Sequence, residues 1–192
     1  MNQLTITSVA SLLCGLSLAA VSQQEVSLIW SGTTGTGTPG SGSIFVNAGD
    51  ELTLDILVKD TGCEGFLGAA AGVSWDAAVI TGFNAMECPT PENPLGPGLC
   101  SDSSEKILTS VLPGVDETPG LAVGFEAINT SSTEPAFVCE TMYLGRTQFI
   151  VESAASSELT VALRVGDGVI QPDFSITTPA TVSAFIEPAP GC

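Results

Sequence analysis

Apolar and polar residues alternate along most of the chain after residue 22, and this alternation constrains the fold more than any other feature. Residues 51–59 give the clearest example, because aliphatic side chains occupy every second position of the run. The aliphatic residues are Leu52, Leu54, Ile56 and Val58, and the polar residues between or beside them include Thr53, Asp55 and Lys59. Successive side chains of an extended strand point to opposite faces, so the pattern predicts a strand with one buried and one solvated face.

The same alternation predicts further strands in both halves of the chain. The predicted inward-facing sets are Leu121, Val123 and Phe125; Thr147, Phe149 and Val151; Leu159, Val161, Leu163 and Val165; and Val182, Ala184 and Ile186. Other candidate strands cover residues 26–30, 43–47, 66–75, 79–86 and 106–112. Glycine, proline and aspartate separate these runs, and no stretch after residue 22 keeps a helical period. About ten strands with such turns predict an all-β fold, an antiparallel two-sheet sandwich of about nine to ten strands.

The first 22 residues have the composition of a secretory signal peptide. Residues 4–21 are apolar with small polar residues interspersed, and Ala20 and Ser22 fit the small residues of a cleavage site. A buried strand or a short membrane anchor are the alternatives. We therefore expect a signal peptide at 1–22, a sandwich domain at 23–187 and a short tail at 188–192. No later segment is long and apolar enough to cross a bilayer, so the processed chain is expected to be secreted or held at the cell surface.

The charge balance excludes several classes of function. The chain has 21 acidic and 4 basic residues and no histidine, which gives a formal net charge of −17. Nucleic-acid binding needs clustered Lys and Arg, and a Ser-His-Asp or Cys-His enzyme needs a histidine. Sandwich-fold glycosidases that use two carboxylates usually line their cleft with aromatic residues, of which this chain has few. We therefore expect a protein that is not an enzyme and does not bind nucleic acid.

Six cysteines point to disulfide bonds in an oxidising compartment. Cys88 and Cys100 flank a loop rich in proline and glycine, so a bond between them would close a segment without regular structure. Cys63 and Cys139 form the second predicted pair. Cys14 lies in the predicted signal peptide, so Cys192 is left over as the final residue.

Acidic residues in turns leave one candidate cofactor, which is calcium. Asp50, Asp60 and Asp76 lie in or beside predicted turns and could supply carboxylate oxygens to a calcium ion, although no EF-hand spacing is present. Otherwise these acids are solvated turn residues, and no cofactor is expected. Trp75 alternates with Val73, which favours packing at the edge of the core over a sugar-stacking platform.

Three segments of the chain resemble the cohesin-like family, whose members are jelly-roll sandwiches related to some carbohydrate-binding modules. They are residues 47–59, residues 65–80 with the Trp75-Asp76 turn, and residues 144–151 followed by the run at 157–165. The resemblance spans about residues 25–187 and implies a bacterial, exported, non-catalytic module for adhesion or scaffolding. Its implied partner is a protein such as a dockerin-type module. The alternatives are a carbohydrate-binding module that takes a polysaccharide, and a secreted structural or matrix protein without a discrete ligand site.

Overall fold

A computed structural model describes residues 23–87, 108–109, 116–129 and 137–191. The predicted signal peptide, Cys88, Cys100 and Cys192 lie outside these residues. The described part contains fourteen strands and no helix, which confirms the all-β prediction. The strands are β1 (Gln24–Thr33), β2 (Ser43–Val46), β3 (Glu51–Asp60), β4 (Gly68–Ser74), β5 (Ile80–Glu87), β6 (Leu108–Thr109), β7 (Asp116–Thr118), β8 (Leu121–Asn129), β9 (Thr141–Val151), β10 (Ser157–Ala162), β11 (Gly168–Ile170), β12 (Ile176–Thr177), β13 (Ala180–Val182) and β14 (Ala184–Pro188). Within these residues there is accordingly no helix that could span a membrane.

The strands form two sheets. The five-stranded sheet has the order β13-β1-β3-β9-β5, and the nine-stranded sheet contains the path β12-β11-β4-β10-β14-β2. Strand β8 pairs with β4 and carries the short strands β6 and β7. Most pairs are antiparallel, as predicted, but β1 pairs with β13 and β14 pairs with β2 in parallel. Both parallel pairs join the first strands of the chain to the last ones.

The core lies between the sheets and confirms the strongest strand prediction. The four aliphatic residues predicted to face inward from residues 51–59 are at most 1% exposed. They pack with the large buried side chains Trp30, Phe66, Phe125 and Phe149. Burial of one such side chain contributes about 1.5–3 kcal/mol, so this layer supplies much of the stability of the fold.

A bulge in β8 makes one predicted alternation wrong. The register between β4 and β8 shifts between Ala71 and Gly72, and Gly124 has a φ of 95°. This conformation is accessible to glycine, and the extra residue changes the phase of the strand. As a result the core-facing residues of β8 are Ala122, Phe125 and Ala127, whereas Leu121 and Val123 do not join the core cluster.

Two predicted strands end or divide where the chain turns. Strand β10 stops at Ala162, and the turn that follows, in which the Asp167 side chain accepts a hydrogen bond from the Arg164 N–H, leaves Val165 fully exposed. The last predicted strand is two strands, because β13 joins the five-stranded sheet and β14 the nine-stranded sheet. Val182 is therefore 42% exposed, while Ala184 and Ile186 are buried as predicted.

Candidate functional site

Asp60 and the predicted second cysteine pair form one junction at the end of β3. The structure links the Sγ atoms of Cys63 and Cys139, which are 76 residues apart in sequence. Asp60 is 3% exposed, and its Oδ2 atom accepts hydrogen bonds from the backbone N–H groups of Gly65 and Cys139, each at 2.9 Å. The carboxylate thus fastens together the same two loops that the disulfide connects. A buried acceptor with two donors stabilises this junction, which gives Asp60 a structural role.

The three predicted calcium ligands are not gathered at one site. Asp50 Oδ2 accepts the N–H of Asn47 at 2.9 Å, and Asp76 Oδ1 accepts the N–H of Ala78 at 2.9 Å. Each carboxylate therefore completes its own turn. No group of three or more His, Cys, Asp or Glu in the described ranges is placed to hold a metal ion. Calcium binding stays a prediction, and it finds no ligand set in this part of the chain.

Asp55 corrects the expectation that outward-facing acids are solvated. Asp55 lies on the outer face of the five-stranded sheet, directly opposite Arg146 on β9. The Arg146 guanidinium donates from Nε to Oδ1 and from Nη2 to Oδ2, the latter at 2.8 Å. The Asp55 side chain is only 2% exposed and that of Arg146 15% exposed. A bidentate contact of this kind is stronger than a single hydrogen bond between charged groups. It shields from solvent a carboxylate that the alternation had predicted to be exposed.

The pair also changes the ionisation of its neighbourhood. Burial raises the pKa of Tyr143 above 10.0, and the negative charge of Asp55 raises it further. The hydrogen bond to Asp55 raises the pKa of Arg146, so the guanidinium stays charged. Both oxygens of Asp55 accept hydrogen bonds from Arg146, and this arrangement suits a structural ion pair.

The outer face of the nine-stranded sheet contains a shallow trough along β4. We define the β4 trough by its floor, which is formed by Gly68, Ala70, Gly72 and Ser74. Direct cross-strand partners share a face, so the neighbouring strands supply its walls. One wall is formed by Leu121, Val123, Glu126 and Ile128 of β8, and the other by Thr160 and Ala162 of β10 and Ile170 of β11.

The floor of the β4 trough is restricted to very small residues. An added Cβ at Gly68 would lie 2.3 Å from the carbonyl oxygen of Ala127, and one at Gly72 would lie 2.5 Å from that of Ala122. Neither position accepts a side chain without movement of the backbone. The chain thus keeps a low central strip between two higher walls.

Two exposed phenylalanines extend this face toward the edge strand β2. Phe185 lies beside Glu158 of β10, and Phe45 lies beside Glu187 of β14. Phe45 is 49% exposed and Phe185 is 44% exposed. Aromatic side chains that stay half exposed are typical of surfaces that bind a partner.

A cavity lies between the two sheets beside the end of β4. We define it as the Trp75 pocket, with a volume of about 320 Å³. Its lining comprises Trp75, Ala77, Thr81, Gly82, Glu117, Thr118, Pro119 and Gly120. The backbone N–H of Trp75 donates to the carbonyl of Gly120 at 2.9 Å, which fixes the two sides of the cavity to each other. The indole packs edge-to-face on Phe149 with ring centres 5.0 Å apart, which confirms the prediction that Trp75 lies at the edge of the core.

Sequence reasoning found the turn carboxylates and Trp75 but missed the trough and Glu117. The trough could have been predicted from β4, where the alternate positions that face outward are Gly, Ala, Gly and Ser. Such a strand presents almost no side-chain volume on its outer face. The signal for the pocket was weaker. Glu117 lines the same pocket as Trp75 only because the turn at Pro119 folds β7 back along β8.

Comparison with known proteins shows the fold. No protein-family model and no curated protein matches the sequence. Among solved structures, the sixth cohesin of scaffoldin B from Acetivibrio cellulolyticus, in complex with a dockerin, is similar over 86% of this chain and 98% of its own, with a TM-score of 0.55 and 8% identity. A type II cohesin domain from the cellulosome of the same organism is similar over 85% and 95%, with a TM-score of 0.53 and 16% identity. A type I cohesin–dockerin complex from Clostridium thermocellum gives 85% and 98%, a TM-score of 0.51 and 11% identity. The chain therefore has a cohesin-like β-sandwich fold, as the sequence resemblance implied.

Proposed function

We propose that the protein is an exported, non-catalytic module that binds a protein partner, with a dockerin-type module as the first candidate. Two of the similar cohesins were solved with dockerins bound, which supports a protein as the partner. The observation that carries the proposal is the β4 trough, a low strip of small residues open on one sheet face. We place the module at the cell surface or outside the cell, in keeping with the signal-like first 22 residues.

The chemistry of the trough suits a protein interface. The centre of such an interface is poor in charge and apolar, with polar groups at its rim. The floor of the β4 trough carries no charged side chain, and its walls are mostly aliphatic. The outer face of the other sheet instead has the closed Asp55–Arg146 pair at its centre. Docking of a partner therefore has the lower desolvation penalty on the face that contains β4.

The exposed phenylalanines separate this proposal from a structural or matrix role. A matrix protein without a ligand site predicts a surface that lacks an apolar patch. Phe45 and Phe185 lie on the same face as the trough, and this placement supports a binding role for the face.

Calorimetry with dockerin modules tests the proposal, and two threonines provide matched variants. Thr160 is an exposed residue in a wall of the trough, and Thr141 is an exposed strand residue on the outer face of the other sheet. We expect Thr160→Arg to weaken dockerin binding at least about tenfold, which is about 1.4 kcal/mol. Thr141→Arg should leave the affinity within about twofold, since a solvated substitution away from the interface has little effect.

Two results would contradict the proposal. One is absence of dockerin binding by the unaltered protein, and the other is an equal loss of affinity in both arginine variants. Binding of a soluble polysaccharide without dockerin binding would favour the carbohydrate-binding alternative.

A further inference from the structure

The Trp75 pocket lies between the two sheets, beside the end of β4. Its lining combines Thr81 and Gly82 of β5, in the five-stranded sheet, with Glu117 and Thr118 of β7, in the nine-stranded sheet. The pocket is close to the lower end of the range of about 300–1,000 Å³ that small-molecule sites occupy. This volume suits one long side chain.

The lining of the pocket combines an aromatic ring with a carboxylate. Trp75 is half buried, which leaves part of the indole open to the pocket, and Glu117 is exposed. The face of a tryptophan ring attracts cations more strongly than that of tyrosine or phenylalanine. A carboxylate beside such a ring adds a second attraction for a positive charge, and it orients a guanidinium through charge-assisted hydrogen bonds.

The charge of the whole chain favours the same kind of ligand. No Lys or Arg is among the lining residues of the pocket, and the chain carries 21 acidic residues against 4 basic ones. The field of such a protein draws basic partners and repels acidic ones. Arginine is favoured over lysine because its planar guanidinium stacks on aromatic rings and presents paired donors to a carboxylate.

We propose that the Trp75 pocket receives an arginine side chain of the protein partner. The guanidinium lies against the indole of Trp75 and pairs with Glu117, and the hydroxyls of Thr81 and Thr118 border the site. This inference rests on the proposed binding of a protein partner.

A titration with a small probe tests the pocket without any protein partner. We would follow the two indole N–H resonances of the ¹⁵N-labelled protein while adding Nα-acetyl-arginine methylamide. Acetyl-citrulline methylamide is the matched probe, because it has nearly the same shape without the charge. Trp30 is the internal reference, since it is fully buried and its Nε1–H donates to the carbonyl of Phe185 at 2.9 Å. We expect the Trp75 resonance to shift with the arginine probe, to shift much less with citrulline, and Trp30 to stay fixed.

Glutamate variants identify the source of any shift. Glu117→Gln should weaken the arginine probe about threefold, which is within the contribution of an exposed ion pair. Glu187→Gln removes the same charge from an exposed site on β14 and should leave the titration unchanged. A rise in ionic strength from about 0.01 M to about 1 M should weaken the shift, because the screening length falls from about 30 Å to about 3 Å.

Several outcomes would overturn the inference. They are no shift of Trp75, an equal shift with citrulline, or an equal effect of both glutamine variants. Because no dockerin is present in this titration, a negative result there leaves the calorimetric test of the proposed function intact. The converse also holds, since failure to bind a dockerin does not alter the response of Trp75 to the arginine probe.

Discussion

Replacement of Arg146 by methionine removes the two guanidinium donors that hold the Asp55 carboxylate. The change leaves a charge on a side chain that is 2% exposed, on the outer face of the five-stranded sheet. Breaking a buried ion pair by removal of one partner destabilises a protein by about 3–5 kcal/mol. The Arg146 side chain is 15% exposed, so water can partly reach the site and the loss should lie near about 3 kcal/mol.

A double variant separates the ion pair from simple loss of packing. Asp55→Leu combined with Arg146→Met removes both charges and keeps apolar volume on the sheet face. Replacement of a buried pair by apolar residues of similar size is often neutral, so we expect this variant to lie within about 1 kcal/mol of the unaltered protein. The coupling between the two positions should therefore be about 2–3 kcal/mol.

Urea unfolding at neutral pH measures these differences. The midpoint of the transition gives the free energy of unfolding when its slope is unchanged between variants. In thermal unfolding a loss of 3 kcal/mol corresponds to about 6–12 °C for a chain of this size. Two findings would refute the reasoning. They are a loss below about 1 kcal/mol in the single variant, and a loss in the double variant as large as in the single one.

Three further predictions concern the single tyrosine, the disulfide and one strained residue. Ultraviolet titration should show Tyr143, the sole tyrosine, ionising above 10.0, because burial and the adjacent carboxylate raise its pKa, and stability should fall as pH rises from 10 through that pKa; a midpoint at or below 10.0 contradicts this. Cys63→Asn with Cys139→Asn should lower the free energy of unfolding by about 4 kcal/mol in urea, because the loop that the bond closes spans 76 residues. Asparagine tolerates the positive φ at both sites, so an unchanged midpoint would rule out stabilisation by this bond. Phe174 has a φ of 62° and is 61% exposed, so Phe174→Asn should raise stability by about 1 kcal/mol in thermal unfolding, whereas Phe185→Asn, at a site with ordinary φ, should not.

Local pattern was enough to predict the fold class and the core of β3. The alternation in residues 51–59 is long and regular, and all four of its inward-facing aliphatic residues are buried. The phase of β8 could not be predicted, because Gly124 inserts one residue and only the pairing with β4 reveals it. The same limit applies to Asp55, whose burial depends on Arg146, a residue 91 positions later in the chain.

The candidate site was less predictable than the fold, because its parts come from distant segments. Trp75 was recognised as a core-edge residue from its alternation with Val73, and this is a local property. Its proximity to Glu117 depends on the pairing of β7 with β8 and of β8 with β4. The turn carboxylates, in contrast, were visible in the sequence but serve the backbone of their own loops. Turn composition predicts where acids lie and does not predict whether they converge.

The two parallel strand pairs have a consequence for the order in which the chain can fold. Strands β1 and β2 pair in parallel with β13 and β14, and the Trp30 indole donates to a carbonyl 155 residues later in the sequence. Closing such long loops has an entropic cost, which is offset only when the contacts between the two ends form. Proteins dominated by distant pairings fold on the millisecond to second timescale. We therefore expect the sandwich to close only after the final strand has left the ribosome, so that translation precedes native folding along nearly the whole chain.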